Sequence, residues 1–253
     1  MRMQDNFIDL TITSPPYDNL RNYKGYEFEF ESIARELYRT TKNGGVVVWI
    51  VGDATINGSE TGTSFRQTLY FMECGFNLHD TMIYQKTGVP FPPKNRYNQV
   101  FEYMFVFSKG VPTTFKPIMV KNKTFGTPDG SIRRNRTMRT KEGELKKVKS
   151  NSSVNEYGLK DNIWKFSTGN CKSTKDKIAF EHPAIFPEKL VKEHIHSWSN
   201  EGDLIYDCFM GSGTTAKMAH LQKRNWIGSE ISKEYTDIAN KRIEKYINQT
   251  TLF

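Results

Sequence analysis

The chain has 253 residues, a formal net charge of +8 and a mean hydropathy of −0.63, which suits one large α/β domain with an inserted segment and favours an anionic partner, nucleic acid first. Its three cysteines form no CxxC pair, which argues against a disulfide framework or a thiolate zinc site. No apolar run reaches the length of a membrane span and none follows Met1-Arg2-Met3-Gln4-Asp5, so the chain reads as soluble and cytoplasmic, with no membrane partner.

Phe7 to Ile12 predicts a buried strand that ends in a rigid Pro15-Pro16 turn. Phe30 to Thr41 has helical spacing through Ile33, Leu37 and Tyr38, with Gly44-Gly45 as its stop. Val46 to Val51 follows as a β-branched core strand ending at Gly52-Asp53. Thr63 to Cys74 predicts a second helix, with Phe65, Leu69 and Met72 as its apolar face. Phe76 to Gln85 and Phe101 to Ser108 read as two strands close enough to form an edge hairpin. From Val111 the character changes. Residues 121–149 carry ten Lys or Arg against three acids and few large apolar groups, a poor core segment expected to order on DNA. Helical spacing returns through Phe186, Leu190, Val191 and Ile195, with Pro187 near the first turn. A strand at Leu204 to Cys208, a helix at Thr214 to Gln222, a short strand at Trp226 to Ser229 and a helix at Glu234 to Ile247 complete the pattern. The expected fold is a Rossmann-like, mostly parallel sheet with helices on both faces and one antiparallel edge hairpin. Residues 1–110 and 180–253 would form the catalytic domain and 111–179 the recognition insertion.

Two turns carry the chemistry. Phe209-Met210-Gly211-Ser212-Gly213 lies between an apolar strand and a helix, where a helix N-terminus offers free N–H groups to an anionic ligand. Thr214 and Thr215 add hydroxyls, and Glu230, 17 residues beyond Gly213, has the spacing at which an acid meets a ribose diol. A tight structural turn is the plainer explanation of the glycines alone. The sequence is not a P-loop, because no Lys follows the second Gly at the required place.

Thr13-Ser14-Pro15-Pro16-Tyr17 is the other turn. An exocyclic base amine is a poor nucleophile because its lone pair is conjugated with the ring. Two fixed carbonyls that accept both amine hydrogens free that lone pair, and consecutive prolines fix carbonyls well. Ser14 and Pro15 would present them, and Tyr17 would stack on a base swung out of the duplex. A proline pair that merely ends a strand is the bland alternative. Ring-carbon methylation of cytosine needs a thiolate, usually after proline; here the cysteines follow Glu73, Asn170 and Asp207.

These residues resemble the amino-methylating DNA methyltransferases of the β arrangement, in which the catalytic motif precedes the cofactor motif with the recognition segment between them. His182-Pro183-Ala184-Ile185-Phe186-Pro187-Glu188-Lys189-Leu190 is similar to the family's cofactor-side motif, and Phe101 to Lys109 to its hairpin before the recognition segment. The resemblance covers roughly residues 5–110 and 180–245. It implies S-adenosylmethionine as cofactor, lined by Asp207, Phe209, Gly211, Gly213 and Thr214, with Glu230 on the ribose and Phe186 and Pro187 at the methionine end. Thr13 and Thr215 belong to the same cofactor-side set, and Ser14, Pro15, Pro16 and Tyr17 to the catalytic one. Ser14 resembles the N4-cytosine form of the motif, whereas Asp there is the commoner N6-adenine form; cytosine is favoured and adenine stays open. The implied setting is a prokaryotic or phage-encoded, DNA-associated protein. A cognate restriction endonuclease and a homodimer are partners the family allows.

Arg21, Arg133, Arg134, Arg136, Arg139, Lys146 and Lys147 are the candidate DNA contacts, against the alternative of a solvated surface. Tyr23, Tyr26 and Phe28 would touch the flipped nucleotide or simply pack. Asp53 suits either a ligand at the strand edge or a helix cap. His194 and His196, two apart on a helix, point in different directions and give no metal pair; Trp164 and Trp198 read as core. Methylation of RNA or a protein amide, and a catalytically silent DNA-binding module, are the competing functions.

Overall fold

The computed structural model describes residues 3–16, 28–88, 94–126, 136–148, 154–167, 172–185 and 187–250, with backbone alone for Arg136, Val148, Gln249 and Thr250. The chain divides into two units, Met1–Lys116 with Asn162–Phe253, and Pro117–Asp161.

The first unit is organised on β1 (Ile8–Thr13), whose Ile8, Leu10 and Ile12 are fully buried on one face and whose Thr11 and Thr13 are fully buried on the other. Burial on both faces is the signature of a central parallel strand. Around it a seven-stranded sheet has the order β11-β5-β6-β2-β1-β12-β13. These strands are β2 (Thr41–Val51), β5 (Asn77–Lys86), β6 (Phe101–Ser108), β11 (Ile163–Phe166), β12 (Leu204–Asp207) and β13 (Asn225–Gly228). Every neighbouring pair is parallel except those that involve β6. A small hairpin, β3 (Thr55–Ile56) with β4 (Ser59–Glu60), follows β2.

The helices are α1 (Phe30–Thr40), α2 (Thr63–Glu73), α3 (Glu188–Trp198), α4 (Thr214–Leu221) and α5 (Lys233–Thr250), with a 3-10 turn at Lys177–Glu181. No helix among the described residues is long and apolar enough to cross a membrane. α1 stops at Thr40, before the expected glycines. The Thr40 and Thr41 hydroxyls donate to the carbonyls of Glu36 and Leu37, and such side-chain bonds compete with helix propagation.

Three expectations are corrected. The face of α2 that carries Phe65, Leu69 and Met72 is exposed; Ser64, Gln67, Thr68 and Phe71 are buried instead. The inner face is polar because the core asks for partners there. Trp49 Nε1 donates to Gln67 Oε1 at 2.9 Å, while Phe71 meets Trp49 edge-on at 5.0 Å. The β5–β6 hairpin forms as expected, but β11 lies outside it and pairs in parallel with β5. The residues of β11 fall within 111–179, the stretch expected to form the insertion, although Trp164 itself was read as core. Trp164 and Phe166 are buried in the sheet, so the smaller unit spans Pro117–Asp161 rather than 111–179.

That smaller unit holds β7 (Met119–Lys121) paired with β10 (Tyr157–Leu159), and a ribbon of β8 (Arg136–Arg139) with β9 (Leu145–Val148). Trp198, like Trp164, is buried in the larger unit. Asp53 acts as a cap. Its carboxylate accepts from the Ser64 N–H at 2.8 Å and the Ser64 hydroxyl at 2.6 Å, in the first turn of α2.

Candidate active site

β1 leads through α1 to β2 on one side, while β12 leads through α4 to β13 on the other. The sheet's direction of progress therefore reverses between β1 and β12. In an open α/β sheet, ligands bind beyond the carboxyl ends of the strands at that reversal. Both chemistry-bearing turns leave the sheet there: Ser14-Pro15-Pro16 from β1 and Cys208 to Gly213 from β12.

The two turns are tied together. Thr13 Oγ1 donates to Asp207 Oδ1 at 2.7 Å, and Thr215 Oγ1 donates to Asp207 Oδ2 at 2.7 Å. The Phe209 N–H donates to Asp207 Oδ1 at 3.0 Å. Burial pushes the Asp207 carboxyl up to about 6, against the lowering effect of the Thr215, Thr13 and Phe209 donors. Thr13 and Asp207 are fully buried and Thr215 nearly so. These three expected cofactor residues thus brace the turns from within rather than line a cleft. At the opposite end of the same strands, Asp9 Oδ2 accepts from the Leu204 N–H at 2.9 Å.

The course of the glycine turn is set by what packs against it. Gly211 has φ +49, and a Cβ there would lie 3.0 Å from His182 Nε2. Gly213 has φ +78, and a Cβ there would lie 3.1 Å from Ala239 Cβ and Ile243 Cδ1 of α5. Both glycines meet a left-handed backbone and a close protein neighbour together. The residue that precedes α4 is Gly213, which has no side chain to cap it, and Thr214 is buried at the helix's first position. Glu230, just past β13, accepts from the Gly211 N–H at 2.8 Å and the Ser232 N–H at 2.9 Å. Each carboxylate oxygen keeps a second lone pair for a ligand hydroxyl. Phe209 is half-buried, its ring 5.5 Å from Phe28 and 6.3 Å from Trp49. Phe28 therefore packs against the glycine turn.

Pro187 is buried at the start of α3, and its carbonyl accepts from the Leu190 N–H at 3.1 Å. His182 joins the same segment to the turn, with its ring edge-on to Tyr235 at 4.3 Å. Tyr17, Arg21, Tyr23, Tyr26, Phe186, Arg133 and Arg134 lie outside the described residues. In the smaller unit Arg139, Lys146 and Lys147 are exposed on the β8–β9 ribbon, where Thr137 pairs with Lys147 and Met138 with Lys146.

Sequence reasoning missed a buried ionic cluster under the glycine turn. Arg242 of α5 is fully buried, and Lys217 of α4 nearly so, with Asp176 and Glu188 as their carboxylate partners. The available signal was a charge on an inner stripe: Arg242 lies beside Ala239 and Ile243, and Lys217 interrupts Ala216, Met218 and Ala219. Arginine is almost never fully buried unless paired.

The N6/N4 methyltransferase family model, described as DNA methylase, matches residues 8–241. The orphan methyltransferase M.BamHII of Bacillus amyloliquefaciens is 60% identical over 244 residues, covering 96% of this chain and 91% of that protein. The solved PvuII DNA methyltransferase, described as cytosine-N4-specific, superposes with a TM-score of 0.66 at 21% identity, covering 98% of this chain and 86% of its own. The M1.HpyAVI–SAM complex superposes with a TM-score of 0.57 at 20% identity, covering 95% and 90%. With the two turns joined at the reversal of the sheet and the match running nearly end to end, this chain belongs to the N6/N4 family of DNA methyltransferases.

Proposed function

We propose that the chain methylates the exocyclic N4 of cytosine in duplex DNA, with S-adenosylmethionine as the donor. The observation that carries this reading is the Thr13–Asp207 bond, which joins the proline corner and the glycine turn at one place in the sheet. Ser14 in the corner supports cytosine, because it resembles the N4-cytosine form of the motif, although its hydroxyl suits the adenine N1 acceptor as well as the cytosine N3. The described fold of a cytosine-N4-specific enzyme points the same way.

The donor set fits the cofactor. The first turn of α4 offers main-chain N–H groups to its carboxylate, the Gly211 and Gly213 N–H groups being taken by Glu230 and the Met210 carbonyl, and Glu230 retains lone pairs for its ribose diol. When bound, S-adenosylmethionine supplies a methyl group on a sulfonium centre, a leaving group that needs no acid assistance. The chain's own residues align and polarise. The Ser14 and Pro15 carbonyls would accept hydrogen bonds from the two amine hydrogens and free the nitrogen lone pair for in-line attack; as the N–CH3 bond forms the S–CH3 bond breaks, and the nitrogen loses one proton to solvent. Tyr17 stacks on the extruded base. Arg139, Lys146 and Lys147, with Arg133, Arg134 and Arg136, hold the DNA backbone, and Arg21, four positions after Tyr17 in the sequence, serves a flanking phosphate.

The test is to incubate DNA with methyl-labelled cofactor, digest it to nucleosides and identify the labelled one by mass. N4-methylcytosine is expected. N6-methyladenine would overturn the choice of base, and an absence of labelled nucleoside would overturn the DNA reading altogether.

A further inference from the structure

The cluster beneath the glycine turn is built around one guanidinium. Arg242 Nη1 donates to the Ser212 carbonyl at 2.9 Å, the Ser212 hydroxyl at 3.2 Å and Thr214 Oγ1 at 3.0 Å. Its Nη2 donates to Glu188 Oε1 at 2.7 Å and Thr174 Oγ1 at 3.2 Å, and its Nε to Asp176 Oδ2 at 2.9 Å. Every face of the fork is used. Lys217 Nζ donates to the same two carboxylates, at 2.8 Å to Asp176 and 2.6 Å to Glu188. Tyr246 donates to Asp176 Oδ1 at 2.7 Å, and Lys245 reaches that oxygen from the half-exposed side.

A buried ion network is a poor means of stabilisation, because desolvation offsets most of its Coulomb energy and an apolar core does as well. What this network does have is aim. One Arg242 nitrogen points at the middle and end of the Gly211–Gly213 turn, and the others point at the segment from Thr174 to Glu188. Ala239 and Ile243, on the same stripe of α5, press on Gly213. Burial works to raise Asp176, but donors from Lys217, Lys245, Tyr246 and Arg242 more than offset it and hold the carboxyl well below its usual range. Asp176 thus stays charged at neutral pH.

We infer that Arg242, held by Asp176 and Glu188, is a positioning residue for the cofactor turn. It fixes the Ser212 main chain and locks the turn to the segment that opens α3, so the final helix is part of the cofactor site without touching the cofactor. The inference rests on the glycine turn being the S-adenosylmethionine site.

The test compares Arg242→Lys, Arg242→Met and Thr174→Val with the parent. Calorimetry measures S-adenosylhomocysteine affinity, circular dichroism the folded state, and initial rates the KM for S-adenosylmethionine and kcat. A loosened turn raises Kd and KM about tenfold or more in Arg242→Met, with kcat at saturating cofactor within a few-fold of the parent. Arg242→Lys restores part of the affinity, since it keeps the charge but loses the fork. Thr174→Val supplies the same readout with a smaller shift if Arg242→Met does not fold. Folded variants that bind S-adenosylhomocysteine as tightly as the parent would overturn the inference and leave the proposed function standing. A parent that does not bind S-adenosylhomocysteine would instead remove the proposed function.

Discussion

Replacing Thr13 by Val removes one of the three donors to a carboxylate that has no access to solvent. The lost bond is 2.7 Å long, and both residues are fully buried, so no water takes its place. A hydrogen bond to a charged group contributes about 1.5–3 kcal/mol, against about 0.5–1.5 kcal/mol for a neutral pair. The cost of Thr13→Val is therefore about 2 kcal/mol while Asp207 is ionised and about 1 kcal/mol once it is protonated. Burial already raises that carboxyl from 3.8 to about 6, the Thr215 and Thr13 bonds working against it. Losing Thr13 removes a donor that favours the ionised form and lifts the carboxyl further. The sign follows from linkage. A carboxyl raised on folding favours the native state at low pH, and that contribution is lost as pH rises through the folded value. In the parent this loss falls between the ordinary 3.8 and about 6; in the variant it extends to higher pH. Urea unfolding of both proteins at pH 8 and pH 5 measures the difference. Equal destabilisation at the two pH values, or none at pH 8, would refute the reasoning.

Three further outcomes are expected. Pro15→Ala and Tyr17→Ala should each remove most methyl transfer and leave S-adenosylhomocysteine affinity near that of the parent; normal turnover in both would strip the corner of its catalytic role. Glu230→Ala loses the brace on the Gly211 N–H and the expected ribose contact, so cofactor affinity should fall about tenfold, with unchanged calorimetric affinity as the contrary result. DNA affinity should fall steeply with salt, and the double variant Lys146→Ala, Lys147→Ala should flatten the log–log slope by roughly two, since each phosphate contact contributes about 0.9. A slope equal to the parent's would take the β8–β9 ribbon out of the DNA contact.

Where one principle governs a segment, the sequence was readable. The β1 and β12 strands are short apolar runs that end in turn residues, and their burial follows from that pattern alone. The proline and glycine turns were visible because few residues tolerate those backbone paths. The α2 face was misread because hydrophobicity ranks Phe65, Leu69 and Met72 above Ser64 and Gln67, while the core needed an acceptor for the Trp49 indole and a partner for Asp53. β11 was hidden for a different reason. Its four residues follow a long polar stretch, and only pairing with β5, eighty residues earlier, makes them a strand. Thr13, Asp207 and Thr215 were recognised as belonging to the site, but a motif does not distinguish a side chain that meets a ligand from one that braces a turn. Arg242 and Lys217 were invisible as a cluster because their partners, Asp176 and Glu188, are 66 and 29 positions away respectively.

The account rests on a base amine and a sulfonium methyl meeting between the β1 and β12 turns. A crystal structure of the protein with S-adenosylhomocysteine and a duplex carrying the target cytosine tests this most directly. It should show the cofactor sulfur beside the Gly211–Gly213 turn and facing the corner, with the cytosine N4 held by the Ser14 and Pro15 carbonyls. A cofactor seated away from the glycine turn, or a target base that never reaches the corner, would contradict it.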